Sequence, residues 1–246
     1  MVNPQGSDLV IHGIGSSSGG VFRNVTVHGT ARIAGDITCE RWDAHGTCKV
    51  MGDVRARKLA AHGTLRCHGD VTAQEVGVHG TASVDGKLEG HLLGVHGRLT
   101  VSGQTQAERV NVEGILRAET DIQAEQMRVK GCLRVAGLLN VGALELTMYG
   151  PSQVEELGGD RVVVRGEPTA GWLRWLLWRF QRHRLDAGVI EGDDVRLEQT
   201  TARVVRGHRV HIGKGCVIGL VEYTGTLSKS PNARIDEERK VGPTDA

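Results

Sequence analysis

Val25–Arg41 reads VTVHGTARIAGDITCER, and Val76–Leu92 reads VGVHGTASVDGKLEGHL. The kinship of these two stretches extends along the chain. Gly29, Gly46, Gly63, Gly80, Gly97, Gly114 and Gly131 follow one another at a constant step of 17 residues. A second glycine recurs six residues later at Gly35, Gly52, Gly69, Gly86, Gly103 and Gly137, with Thr120 in the remaining unit. Immediately before the first glycine stand His28, His45, His62, His79 and His96, then Glu113 and Lys130. Seven units in register without an insertion mark an internal repeat, the signature of a solenoid.

Within each unit the apolar residues fall in three apolar-x-apolar pairs. In the first these are Val25/Val27, Ala31/Ile33 and Ile37/Cys39; in the seventh they are Met127/Val129, Leu133/Val135 and Leu139/Val141. Alternation by two is strand periodicity, and His-Gly, Gly-Asp or polar residues separate the pairs. One unit is therefore one coil of three short strands and three corners. Stacked at the ~4.8 Å strand spacing, equivalent residues lie over one another. A helical reading fails, because the unit is rich in glycine and has no 3.6-residue period. The fold class is all-β, a parallel β-helix of roughly triangular coils.

Composition agrees. The 246 residues include 35 glycines but only four Trp, two Tyr and two Phe, which suits a narrow core of Val, Ile, Leu and Ala with many tight turns. A net charge of +1 provides no whole-chain field for nucleic acid. No stretch of about 18 uncharged apolar residues is present to span a membrane. MVNPQGSDLVIHG lacks the pattern of a secretory leader, and five cysteines without a CxxC pair suit a reducing compartment. The expected location is the cytoplasm, or the periphery of the cell membrane at its inner face.

The repeat extends in both directions. Leu9, Ile11, His12 and Gly13 match the V-x-V-H-G corner 16 residues before Gly29, and LTMYG (Leu146–Gly150) and VVVRG (Val162–Gly166) continue it. The divisions read as a flexible lead over 1–8, regular coils over 9–166, an inserted segment over 167–188, further coils over 189–223 and a flexible tail over 224–246. The insert carries EPTAGWLRWLLWRFQRHRL (Glu167–Leu185), with Leu173, Leu176, Leu177 and Phe180 at i, i+3, i+4 and i+7. That stripe predicts one short helix leaving the solenoid. Trp172, Leu173, Trp175, Leu176, Trp178, Arg179 and Phe180 are the candidate contacts with a membrane surface or a protein partner; packing along the solenoid is the plainer reading.

Each remaining constellation has a structural reading beside the chemical one. The five histidines form a ladder that is structural or pH-sensitive; their even spacing along a line does not converge on a metal ion. Thr30, Thr47, Thr64 and Thr81 form a second row, which stops at Arg98 and Ile115. Cys39, Cys48 and Cys67 occupy inward columns as small hydrophobes, and Cys132 lies near a corner. Asp36, Asp53 and Asp70 read as corner residues that accept backbone hydrogen bonds. GIGSSSGG (Gly13–Gly20) has no G-K-[ST] and no following helix, so no nucleotide loop is expected. IGKGCVIG (Ile212–Gly219) resembles hexapeptide turns of acyltransferases, but the six-residue period is not sustained. No catalytic residue, metal or cofactor is assigned.

DLVIHGIGSSSGGVFRNVTVHGTARIAGDI (Asp8–Ile37), the V-x-V-x-G-x5-G recurrence and TTARVVRGHRVHIGKGCVIGLVEY (Thr200–Tyr223) together resemble the bactofilins, bacterial polymer-forming cytoskeletal proteins. The resemblance implies a right-handed β-helix that assembles end to end into nucleotide-independent filaments, a scaffold for cell shape, envelope or motility structures. Independently, a solenoid leaves unpaired strands and an apolar cross-section at its ends, which must be capped or stacked on another subunit. Leu9, Ile11, Val221 and Tyr223 are the expected self-assembly residues, in a homopolymer or homo-oligomer. The alternatives are a membrane-surface adaptor acting through the Trp/Arg segment and, more distantly, a β-helix acyltransferase or carbohydrate-active protein.

Overall fold

The computed structural model describes residues 7–166 and 183–242. The chain divides into two compact units, Met1–Asp121 and Ile122–Ala246. The first contains strands β1 (Leu9–Ser17), β2 (Gly20–Val21), β3 (Asn24–Ile33), β4 (Ile37–Ala44), β5 (Thr47–Val50), β6 (Val54–Ala61), β7 (Thr64–Cys67), β8 (Val71–Val78), β9 (Thr81–Val84), β10 (Leu88–Val95), β11 (Arg98–Val101) and β12 (Thr105–Ala118). The second contains β13 (Ile122–Met148), β14 (Ser152–Gly166), β15 (Leu185–Leu197), β16 (Thr200–Ile212), β17 (Val217–Lys229) and β18 (Arg234–Lys240). In each unit the described strands pair in parallel as a β-solenoid.

In the first unit the repeat step is the pairing register. Leu9 faces Val25, Val25 faces Trp42, and the column continues through Leu59, Val76, Leu93 and Val110. All six inward positions read from the first repeat are buried, with Val25, Val27, Ile33 and Ile37 wholly removed from solvent. Trp42 also fills an inward position and is completely buried, where its neighbours along the column are Val25 and Leu59. The corner opposite His28 extends the histidine column to His12, which lies in register beside it.

The second unit keeps the parallel pairing with longer strands that continue round the corners. Leu144, Val162, Val195, Val210 and Leu227 form one of its columns. Met127, Val129, Leu133, Val135, Leu139 and Val141 are all buried, as the seventh repeat requires. Pairing passes directly from Ser152 to Leu185 and from Val164 to Leu197, so the coil resumes in register after Gly166. Leu185–Gly188, read from sequence as the end of the inserted segment, belong to β15, and Leu185 is buried. Among the described residues there is no helix; the expected one falls on residues outside them.

The C-terminal boundary also differs. Strand β17 runs on to Lys229, and β18 follows at Arg234–Lys240, within the stretch read as a flexible tail. Charged residues concealed this strand, because an outermost strand can keep both side-chain rows in solvent and needs no apolar alternation.

The corner glycines answer to close approach. A Cβ on Gly63 would fall inside the contact distance of the Gly46 carbonyl oxygen, and Gly46 and Gly80 stand in the same relation to the glycines before them. At Gly77 the nearest atom to an added Cβ would be 3.7 Å away, and Ala60 already occupies that position one coil earlier. Gly63→Ala is therefore expected to destabilise the fold by about 1–3 kcal/mol through overpacking. Gly77→Ala should be close to neutral, and urea unfolding of the two variants checks the contrast.

Candidate functional site

Stacked corners place the same side chain over itself, and the histidines show it most clearly. His12, His28, His45, His62, His79 and His96 form one continuous stack with ring centroids 4.6–5.3 Å apart and interplanar angles between 4° and 15°. The closest step, 4.6 Å, lies between His45 and His62. Burial and then the neighbouring imidazoles of His62 and His96 hold His79 below the ordinary histidine value of 6.5.

The aspartate row uses its side chains on the backbone. Asp36 Oδ1 accepts a hydrogen bond from the Asp53 amide at 2.9 Å, Asp53 Oδ1 from the Asp70 amide at 2.9 Å, and Asp70 Oδ1 from the Lys87 amide at 2.8 Å. Each carboxylate thereby serves the corner of the next coil, where no strand ladder supplies an acceptor. The row is committed to structure. Thr30, Thr47, Thr64 and Thr81 are likewise in register and exposed at a corner.

The cysteines are small core residues. Burial pushes the thiols of Cys39 and Cys48 up to about 12 and that of Cys67 up to about 11, which suppresses the thiolate needed for nucleophilic attack at neutral pH. Cys132 is only half-buried. A groove on the second unit is lined by Gly159, Gly192, Gly207, Glu222 and Tyr223. Glu222 there accepts hydrogen bonds from Arg206 at 2.8 Å and Arg239 at 3.0 Å. The Arg206 hydrogen bond in particular holds its carboxyl below the usual glutamate range, so it is not a ready proton donor.

The terminal strands differ sharply. Among the described residues β1 pairs with β3 alone, leaving its other edge open. Ile11 is buried, while Val10 and Ile14 are 53% and 90% exposed. The outward positions next to them in register are Thr26 and Thr30. Val221 and Tyr223, expected at an open end, instead pair with Glu238 and Lys240 of β18, and Val221 is buried. The outer strand is RIDEERK, laced by Arg234–Asp236, Arg239–Glu237 and Lys229–Glu238 ion pairs. Trp172, Leu173, Trp175, Leu176, Trp178, Arg179 and Phe180 lie outside the described residues. No described helix is long and apolar enough to cross a membrane.

The class that the described residues define is the parallel β-solenoid with repeated corner ladders. Residues 5–89 match the family model for bactofilin, described as polymer-forming cytoskeletal, and over that stretch the chain is similar to the bactofilins. It is 39% identical to the uncharacterized protein YhbF of Bacillus subtilis strain 168 over 106 residues, which cover 43% of this chain and 42% of that protein. With the uncharacterized protein YhbE of the same organism it shares 34% identity over 108 residues, 44% of each chain. The matched stretch thus spans less than half the length of either relative. No solved structure matches the chain.

His79 carries a pH dependence of defined sign. A histidine held below its ordinary value binds fewer protons when folded than when unfolded, so its contribution to stability is present above about pH 6.5 and is lost as pH falls below it. Between pH 8 and pH 5.5, above the carboxylate range, the denaturation midpoint in chelator-treated buffer should fall, and His79→Gln should reduce that fall. An unchanged midpoint across this interval would remove the effect.

Proposed function

We propose that this protein is a cytoskeletal scaffold that self-associates end to end through its terminal coils into filaments without nucleotide. The observation that carries the reading is the open edge of β1. Among the described residues it combines an edge paired on one side only with exposed β-branched side chains at Val10 and Ile14, whereas protected edges carry charge, proline or a bulge. Pairing of that edge with another copy would satisfy its hydrogen bonds and cover the apolar end of the core. The family's polymer-forming description supports the same direction.

The C-terminal edge calls for a different joint. Along β18 the acidic run Asp236–Glu238 lies between Arg234 and the basic pair Arg239 and Lys240, and a partner strand there must match those charges. Assembly is accordingly expected to depend more strongly on Leu9 and Ile11, with their exposed neighbours Val10 and Ile14, than on Val221 and Tyr223. The cytoplasm, or the inner face of the cell membrane, is the proposed location, and the cellular role is support of shape, envelope or motility structures.

Negative-stain microscopy and sedimentation of the purified protein, with and without liposomes, test this reading. Filaments or linear oligomers should form without nucleotide, and Val10→Lys with Ile14→Lys should shorten or abolish them while circular dichroism stays unchanged. Monomers in every condition would overturn the scaffold reading. Monomers that bind liposomes would favour the membrane-surface adaptor.

A further inference from the structure

The histidine ladder is regular, and a regular ladder has no preferred point along its length. One coil breaks the regularity. The outward column that runs Thr26, Asp43, Ala60, Gly77, Gly94, Asn111 contains a single carboxylate, Asp43. Its Oδ1 lies 3.2 Å from His45 Nε2 and 3.7 Å from His62 Nε2. The same oxygen is buried and has no aligned hydrogen-bond partner, despite an imidazole nitrogen at hydrogen-bonding distance.

We infer that Asp43, His45 and His62 form a binding site for a divalent transition-metal ion, Zn2+ foremost, that joins two neighbouring coils. Zinc–nitrogen and zinc–oxygen bonds of about 2.0–2.2 Å in tetrahedral geometry set donor atoms about 3.3–3.5 Å apart. The two Asp43 separations bracket that value, and the three donor atoms all lie within 4.8 Å of one another. Imidazole nitrogen with carboxylate oxygen is a donor set suited to zinc. An oxygen aimed between two imidazoles but aligned with neither is misplaced for a hydrogen bond and well placed for a shared cation.

The surroundings allow the site to close. Asp43 and His45 precede the Gly46 corner and His62 precedes the Gly63 corner, so the ion would bridge successive turns. The ring planes of His45 and His62 are 5° from parallel, and their nitrogens converge only when the rings tilt. Both side chains are partly exposed, at 45% and 36%, and have room to do so. The exposed sides of the two imidazoles leave the remaining coordination position to water. Elsewhere along the column Ala60, Gly77 and Gly94 offer no carboxylate; Glu113 lies 3.7 Å from His96 Nε2 at the end of the ladder, but among the described residues Asp43, His45 and His62 are the group of three donors that converges.

Calorimetric titration of the untagged, chelator-treated full chain with zinc chloride tests the site, with Co2+ as a spectroscopic substitute. One Zn2+ per chain is expected, with a raised melting temperature and visible Co2+ absorption of tetrahedral character. Asp43→Ala places in this coil the residue that the next one already has, and should weaken binding at least about tenfold and abolish the Co2+ bands. Asp43→Asn is a shape-conserving second variant that should also lose affinity, while His96→Gln should bind as the parent does. Absence of zinc binding, full affinity in both Asp43 variants, or an equal loss in His96→Gln would overturn the inference.

Discussion

Everything in this molecule depends on the demand that each coil lie on the previous one at hydrogen-bonding distance and in one register. Parallel pairing at a step of 17 residues leaves a position no neighbours but its own equivalents along the column. Inward columns are then filled mainly by apolar residues, with Thr105, Ser152 and Thr200 as buried polar members, and the close corners favour glycine, where the carbonyl oxygen of the preceding glycine occupies the space a Cβ would need. The Asp36–Asp53–Asp70 row follows from the same demand, because corner amides beyond the strand ladders need acceptors that move with the stack.

That constraint also transfers the fold's unresolved cost to its ends. An interior coil satisfies its backbone through the neighbours on both sides, and a terminal coil does so on one. The first unit's outer strand keeps Val10 and Ile14 exposed on an edge paired on one side. The second unit ends on β18, whose charged side chains form ion pairs within the strand and with β17. A polymer-forming family description is physically compatible with the first kind of edge, since strand addition removes unpaired donors and apolar surface together.

Chemistry specific to one place arises where a residue departs from the repeat. A carboxylate at position 43, in a column otherwise of threonine, alanine, glycine and asparagine, gives the stack of imidazoles a step where three donors converge. Trp42 beside it is another departure, the largest wholly buried side chain in a column of Leu and Val. Neither follows from the repeat pattern, which registers what the coils share. Asp43 could have been noticed by aligning the units and asking which outward position changes charge; its distance to the imidazoles could not.

The sequence by itself determined the coil length, the inward columns, the corner glycines and the in-register ladders, because a stacked repeat makes spacing along the chain equivalent to neighbourhood in space. Val25 lying beside Leu9, and His28 beside His12, could be read directly. Tertiary structure alone decided where the regularity stops. It placed Leu185–Gly188 in a strand and paired β18 outside Val221 and Tyr223, and it brought Asp43 against two histidines. Those outcomes depend on pairing across an interruption, on a strand with no apolar alternation and on side-chain direction at a corner. None of the three leaves a periodic trace, so only the packed chain settles them.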